Sequence, residues 1–125
     1  MNIKKIFIAL LLFTPLFANT QNWFNATAVR YDVNEEWQEC SVPVSLDIDD
    51  NWKLKVYTEV PHTIRKIKDY GNGLDDYGNT HILWGGVDEN GEDCTMALTI
   101  FANENYMRLT IKFEAFEVYF ILVPD

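Results

Sequence analysis

Strict alternation of apolar and polar residues in the middle of this chain constrains its fold more than any other feature. Between positions 42 and 60 the apolar side chains fall on every second residue, and Asp49-Asp50-Asn51 separates two such runs. A period of two places each set of side chains on one face of a strand. The pattern predicts two half-buried strands joined by a tight turn, with these inward residues: Val42, Val44, Leu46, Ile48, Trp52, Leu54 and Val56.

Strands of the same type occupy the rest of the chain. Asn90-Gly91 precedes an alternating run over 94–100, and this dipeptide is typical of a type I′ hairpin turn. In the run over 24–33 the apolar positions change face between Ala28 and Val29, which indicates a β-bulge. The remaining strands are expected at 62–70, 80–87, 107–113 and 116–123.

About eight strands with short turns and no helical periodicity favour a single all-β domain. We expect an antiparallel up-and-down meander that forms a small closed or flattened barrel. The predicted interior side chains are bulky, so a packed core is expected rather than a ligand chamber. A small apolar ligand bound at one mouth of the barrel is the alternative.

This strand order, with a tryptophan near the start of the first strand, resembles lipocalin-like, calycin-type barrels and small exported bacterial β-meander proteins. Lipocalins open their first strand with a Gly-x-Trp motif, whereas Trp23 follows Gln21-Asn22 and lacks that glycine. The resemblance is topological and covers residues 21–125. It implies a barrel that carries a small apolar ligand, and it assigns no binding residues here.

The first 20 residues have the features of an export signal, which leaves residues 21–125 as the folded domain. Lys4 and Lys5 precede an apolar run over 6–13, and Ala18 and Thr20 are the small residues before the expected cleavage site. Cleavage after Ala18 is the alternative. The apolar run is too short for a transmembrane anchor, so we expect a secreted or periplasmic protein of bacterial type.

Acidic residues outnumber basic ones, with 19 Asp+Glu against 10 Lys+Arg. Removal of the signal takes two lysines with it, so the mature chain has a net charge of 8 − 19 = −11. This charge argues against nucleic-acid binding, which depends on cations that neutralise phosphates. A basic partner, or solubility alone, accounts for it.

The sequence offers no catalytic constellation and no cofactor motif. His62 and His81 stand in no recognisable metal-ligand or nucleophile spacing, and the chain lacks G-x-S-x-G, H-E-x-x-H and Gly-rich phosphate-loop motifs. The acidic turn at 88–93 does not have EF-hand spacing; solubilising acids explain it, and calcium binding is left open. We therefore expect a non-catalytic binding protein without a cofactor or metal.

The two cysteines of an exported chain make one intramolecular disulfide available. Cys40 precedes the second strand and Cys94 begins the sixth, and these strands run in the same direction in a meander. Both residues therefore lie at one end of the barrel, and we predict a Cys40–Cys94 disulfide. The bond requires a flattened barrel or a connection folded across the mouth, because the Cα atoms must come within about 7 Å. Two buried thiols are the alternative.

The same end collects acidic residues from 34–39 and 88–93 around one tryptophan. We predict a binding site there for a protein or glycan partner, for example a basic enzyme that the chain inhibits, since Trp is favoured at interface centres. Alternatively, Trp37 caps the core. The predicted partner-binding residues are Glu35, Glu36, Trp37, Asp88 and Glu89.

The third and fourth strands hold five of the eight mature cations, beside Tyr57 and Tyr70. Lysines that discourage edge pairing are the ordinary explanation. A patch for anionic glycans or lipid headgroups is the alternative. The five cations are Lys53, Lys55, Arg65, Lys66 and Lys68.

The last strand is apolar on both faces, with one charged residue in 116–123. A strand with one face in water alternates, so the outward side chains of this strand need cover. We predict that Tyr119, Ile121 and Val123 form an interface, for which a homodimer is one arrangement. Cover by the mature N-terminus around Trp23 is the alternative.

Overall fold

The computed structural model describes residues 21–47 and 52–124; the predicted export signal, the predicted turn 49–51 and the predicted inward residue Ile48 lie outside the described residues, as does Asp125. The described chain is all-β, and its eight antiparallel strands form a meander in which β1 and β8 pair to close a barrel. The predicted fold class is confirmed. The strands are β1 (Gln21–Arg30), β2 (Gln38–Asp47), β3 (Lys53–Val56), β4 (His62–Leu74), β5 (Thr80–Asp88), β6 (Asp93–Ile100), β7 (Met107–Phe113) and β8 (Glu117–Pro124).

Apolar cross-strand pairs fill the barrel where the sequence alternates. Met107 lies opposite Leu122 and Leu109 lies opposite Phe120, and all four side chains are buried. Because cross-strand partners project to the same side of a sheet, these pairs stack inside the barrel. In the described residues no helix has the length and apolarity needed to cross a membrane.

The predicted bulge lies in β1. The register of β1 against both β2 and β8 shifts between Ala26 and Ala28. Ala26 faces the core before the bulge, and Val29 packs against the core after it. The extra residue therefore reverses which positions face inward, so that Arg30 lies on the outer wall.

The turn between β5 and β6 differs from the sequence prediction. The Asp88 carboxylate accepts hydrogen bonds from the backbone N–H groups of Asn90 at 2.9 Å and Glu92 at 2.8 Å. Gly91 has a φ of 80°, but no non-glycine residue among those described has a positive φ. The predicted type I′ turn is therefore wrong, because it needs a positive φ at Asn90 as well. A type I turn followed by a left-handed glycine fits these bonds.

The connection between β4 and β5 uses the same geometry around Asp75. Its carboxylate accepts the backbone N–H groups of Tyr77 and Asn79, each at 2.9 Å, and lies 2.9 Å from Nε2 of His81. The hydrogen bond from His81, followed by those from Asn79 and Tyr77, outweighs desolvation and lowers the pKa of Asp75 to about 2. A single carboxylate therefore organises this connection.

The meander places alternate connections at opposite ends of the barrel. At one end Trp52 packs edge-on against the buried Trp84, with ring centroids 5.9 Å apart, and Lys66 Nζ lies 4.7 Å from the Trp52 ring centroid. The interior beside Trp84 leaves a void of only about 10 Å³. We call this the closed end. The opposite end, with connections 31–37, 57–61, 89–92 and 114–116, is the cavity end.

The predicted disulfide between Cys40 and Cys94 is wrong, because both cysteines are free. Cys40 lies in β2 and its thiol donates a hydrogen bond to the Ala26 carbonyl of β1 at 3.3 Å. Cys94 lies in β6, is buried in the core, and has Gly86 and Phe113 as cross-strand partners. The closed barrel separates these strands by four positions, and the flattening that the bond needs does not occur.

Gly86 occupies a position on β5 where the core has no room for a side chain. A Cβ atom there would lie 2.5 Å from Cε of Met96 and 2.7 Å from Cγ2 of Ile64. Replacing Gly86 with Ala should lower the free energy of unfolding by about 1–3 kcal/mol, the usual cost of overpacking. Urea denaturation followed by tryptophan fluorescence measures this loss. Gly73→Ala is the control, because a Cβ at Gly73 meets nothing within 4 Å; equal effects of the two substitutions would contradict the argument.

Asp75 should make the stability of the fold depend on pH in the acidic range. Its pKa is about 2 in the folded protein against an ordinary value of 3.8, so the unfolded chain binds the proton more tightly. The stabilisation is therefore complete above pH 3.8 and is lost as the pH falls toward 2. Thermal unfolding across this range should show a steep decline for the wild type and a shallower one for Asp75→Asn. Asp76→Asn, at the exposed neighbouring position, should keep the wild-type slope.

Candidate functional site

A cavity of about 350 Å³ opens at the cavity end of the barrel. This volume falls within the range of small-molecule binding sites. Its apolar floor consists of Val56, Ile64, Ile111, Val118 and Phe120. Its rim consists of Tyr31, Thr58, His62, Asp88, Asn90, Glu92, Phe113 and Phe116. The expectation of a packed interior therefore holds only toward the closed end.

A contact between the first residue of β4 and the β5–β6 connection holds the rim in place. His62 Nδ1 lies 2.8 Å from Glu89 Oε1, and the other carboxylate oxygen accepts the backbone N–H of Thr63 at 3.3 Å. Desolvation would raise the pKa of Glu89, but hydrogen bonds from its own backbone N–H, His62 and Thr63 outweigh it and lower the pKa. Glu89 thus fixes His62, which lines the cavity, against the β5–β6 turn.

The cavity end is strongly acidic. Its four connections contain no Lys or Arg and carry Asp32, Glu35, Glu36, Glu59, Glu89, Glu92 and Glu114. Asp88 and Glu92 also line the cavity. Burial first, and then the charges of Asp88, Asp93 and Glu92, raise the pKa of the Cys94 thiol to about 11. These carboxylates therefore impose a negative potential at the mouth, which favours a positively charged group.

The predicted acidic residues lie around this mouth. Glu89 pairs with His62, and Glu35 accepts the backbone N–H of Tyr31 at 3.4 Å, so each contacts a residue of the rim. Glu36 lies exposed in the same connection as Glu35. With Asp88, which lines the cavity directly, three of the five predicted partner-binding residues line the cavity or contact its rim.

The fifth predicted residue, Trp37, lies elsewhere. Its ring is not part of the cavity lining, and it packs on the Arg30 guanidinium, whose Cζ is 4.5 Å from the ring centroid. The same guanidinium lies 4.8 Å from the ring centroid of Tyr119 on β8. Trp37 therefore covers an arginine on the outer wall, and it does not cap the core.

The predicted interface residues of β8 lie on the outer wall and are half-buried. Part of their cover comes from the chain itself, because the Arg30 guanidinium lies over Tyr119. The Tyr119 hydroxyl also donates a hydrogen bond to Glu117, which raises the pKa of Tyr119. The β1 partners of Tyr119, Ile121 and Val123 are Arg30, Ala28 and Asn25. Homodimerisation through this strand stays a prediction.

A second depression, of about 390 Å³, lies on the barrel wall beside Tyr70, Asp93, Thr95 and Lys112. It is slightly larger than the mouth cavity, but several of its lining residues are exposed positions of the outer sheet. The mouth cavity combines a buried apolar floor with a polar rim, which is the usual composition of a ligand site. We therefore take the mouth cavity as the candidate functional site.

Sequence reasoning missed much of the cavity lining. The alternation places Tyr31 within a strand, and no pattern assigns His62 to the site, although Glu92 belongs to the acidic segment 88–93 predicted at this end. The alternation did identify Val56, Ile111 and Val118 as inward, but an inward pattern does not show whether the space between opposite strands is filled. The sequence signal for such a rim is an inward-facing position at the cavity end of a strand.

The lining of the cavity combines an apolar floor with two carboxylates and one imidazole on the rim. In the part of the chain that the structure describes, no group of three or more His, Cys, Asp or Glu side chains is placed to hold a metal ion. Comparison with protein-family profiles, curated protein sequences and solved structures finds no match for this chain. The geometry and charge of the cavity are therefore the features that indicate a function.

The Cys94 thiol should react slowly with alkylating agents. Its pKa of about 11, against an ordinary value of 9.0, leaves roughly 100-fold less thiolate at neutral pH, and only the thiolate is nucleophilic. Mass spectrometry of an iodoacetamide time course at pH 8 should show rapid labelling of Cys94 only after unfolding. Asp93→Asn should accelerate labelling of the folded protein, whereas Glu104→Gln at the closed end should not. Rapid labelling of folded wild type, or a disulfide, would contradict this structure.

Proposed function

We propose that this chain is an exported, non-catalytic binding protein whose mouth cavity takes a small apolar ligand that carries a positive charge. The cavity of about 350 Å³ carries this proposal. Its floor supplies apolar surface for the body of the ligand. Asp88 and Glu92 on the rim supply negative charge for its head group.

The floor and the rim of the cavity contribute to the free energy of ligand binding in different ways. Burial of apolar surface contributes about 25 cal/mol per Å², so the floor provides affinity. An exposed ion pair contributes only about 0.2–1 kcal/mol, so the rim mainly selects the sign of the ligand charge. An anionic amphiphile would meet the carboxylates of Asp88 and Glu92 at the same position. The cavity should therefore prefer an alkylammonium to an alkylcarboxylate of equal length.

Calorimetric titration with octylammonium, octanol and octanoate tests this preference. Octylammonium should bind most tightly and octanoate most weakly, with a difference of about tenfold that shrinks as salt screens the rim charges. Equal affinities for the two ions would refute the charge selection. Absence of binding by all three compounds would refute small-ligand binding.

Two substitutions in the cavity and one control outside it test whether the ligand binds there. Glu92→Gln should weaken octylammonium binding about two- to fivefold, as expected for loss of one exposed ion pair. Glu104→Gln removes an acid from the connection at the closed end and should change nothing. Val118→Trp should occupy the floor and abolish binding of all three compounds, with circular dichroism as the check that the barrel is intact.

A basic protein partner is the second candidate function. The observation that favours it is the acidic connection 31–37, whose Glu36 lies exposed outside the cavity. A lysine or arginine side chain of such a partner could enter the same mouth, and the chain would then act as an inhibitor of a basic enzyme. Slower, less salt-dependent association of a Glu35→Gln, Glu36→Gln variant with a cationic lysozyme would support this candidate. Unchanged association would exclude lysozyme as the partner.

A further inference from the structure

The outer wall over β1 to β4 is cationic and aromatic, although the chain as a whole has a net charge of −9. Lys53 of β3 lies opposite Arg65 of β4, and Lys55 lies opposite Thr63. In the described part of the chain no ion pair involves Lys53, Lys55 or Arg65. Three neighbouring cations thus form no salt bridge there, on a chain rich in carboxylates.

One neighbouring residue lowers the charge of this cluster, and another nearby cation does not belong to it. Asp47 of β2 is the cross-strand partner of Lys53 and reduces the net charge at that corner. Lys66 lies against Trp52 and pairs with Asp69, so it belongs to the closed end rather than to the wall. The cationic wall therefore comprises Lys53, Lys55 and Arg65, and Lys68 continues it along β4 with its ammonium 5.4 Å from the Tyr70 ring centroid.

Aromatic rings lie flat beside these cations. Trp23 of β1 and Lys55 of β3 are both cross-strand partners of Ser45 on β2, which is only 2% exposed. The Trp23 ring contacts Tyr57, with centroids 5.3 Å apart and planes inclined by 31°, so it reaches from β1 across the small Ser45 to the far side of β2. Trp23 remains 40% exposed, so part of its ring is accessible to a ligand.

We propose that this wall is a binding site for anionic polysaccharides. The face of an indole ring is electron-rich, and the axial C–H bonds of a sugar ring carry partial positive charge, so the two stack. The Lys53, Lys55 and Arg65 side chains then pair with the carboxylate or sulfate groups of successive sugars. Asn25, which follows Trp23 on the outer side of β1, adds an amide for sugar hydroxyls. The site lies on the barrel wall, so it does not depend on the function proposed for the mouth.

A membrane surface shares the anionic chemistry but fits the geometry less well. Insertion into lipid needs apolar side chains that project from the protein, whereas Trp23 lies along the sheet and covers Ser45. The Tyr57 ring is also engaged, with the Lys55 ammonium 5.0 Å from its centroid. An exposed tryptophan next to a tyrosine that contacts a lysine matches the alternating rings and charges of an acidic glycan.

Affinity measurements with polygalacturonate, dextran sulfate and uncharged dextran test the site, with phosphatidylglycerol vesicles in a parallel arm. Polygalacturonate and dextran sulfate should bind in a salt-dependent manner, and uncharged dextran should bind far more weakly. Trp23→Ala should weaken binding of both anionic polymers roughly five- to tenfold, which corresponds to the contribution of one stacked ring to the binding free energy. Lys55→Gln should weaken it about two- to fivefold and reduce the salt dependence.

Matched controls separate this site from general charge effects. Tyr77→Ala removes an exposed ring from the connection at 75–79, and Lys112→Gln removes an exposed cation from β7; neither should change the affinity. Equal losses for Lys112→Gln and Lys55→Gln, or an unchanged affinity of Trp23→Ala, would overturn the proposal. Absence of polymer binding by the folded wild type, or tighter Trp23-dependent binding to the vesicles, would also overturn it.

Discussion

Hydrogen bonding between β1 and β8 closes the barrel, and the placement of both proposed sites depends on this closure. A closed sheet has no free edge, so each of its strands has a fixed inner and outer face. Closure occurs through a bulged strand, whose register shifts between Ala26 and Ala28. After that shift Tyr31 reaches the cavity rim, while Arg30 lies on the outer wall between Trp37 and Tyr119. The one-residue bulge thus brings Tyr31 to the mouth and directs the cationic Arg30 away from it.

The size of the inward side chains explains why only one end of the barrel is filled. Toward the closed end the strands direct Phe24, Trp84 and Met107 inward, and the remaining void is about 10 Å³. Toward the cavity end the inward positions include the smaller Val56 and Val118, beside Ile64, Ile111 and Phe120. The circumference of an eight-stranded barrel is set by its strands rather than by its side chains. Smaller residues at one end therefore leave a cavity of about 350 Å³.

Charge is segregated on this barrel. The connections of the cavity end contain acids and no Lys or Arg, whereas Lys53, Lys55 and Arg65 lie together on the outer wall. Each region should attract ligands of opposite sign over about one Debye length, near 10 Å at moderate ionic strength. We therefore propose different ligands for the two sites, a cationic amphiphile at the mouth and an anionic polysaccharide on the wall.

The amino-acid sequence by itself determined the all-β class, the meander, the bulge in the first strand and the common end of the acidic connections. These features follow from local periodicity and from the direction of consecutive strands, which are properties of neighbouring residues. Only the tertiary structure decided the cavity, the free cysteines, the stacking of Trp37 on Arg30 and the position of Trp23 over Ser45. Each of these depends on the cross-section of the closed barrel, which sets the distance between strands that are remote in sequence.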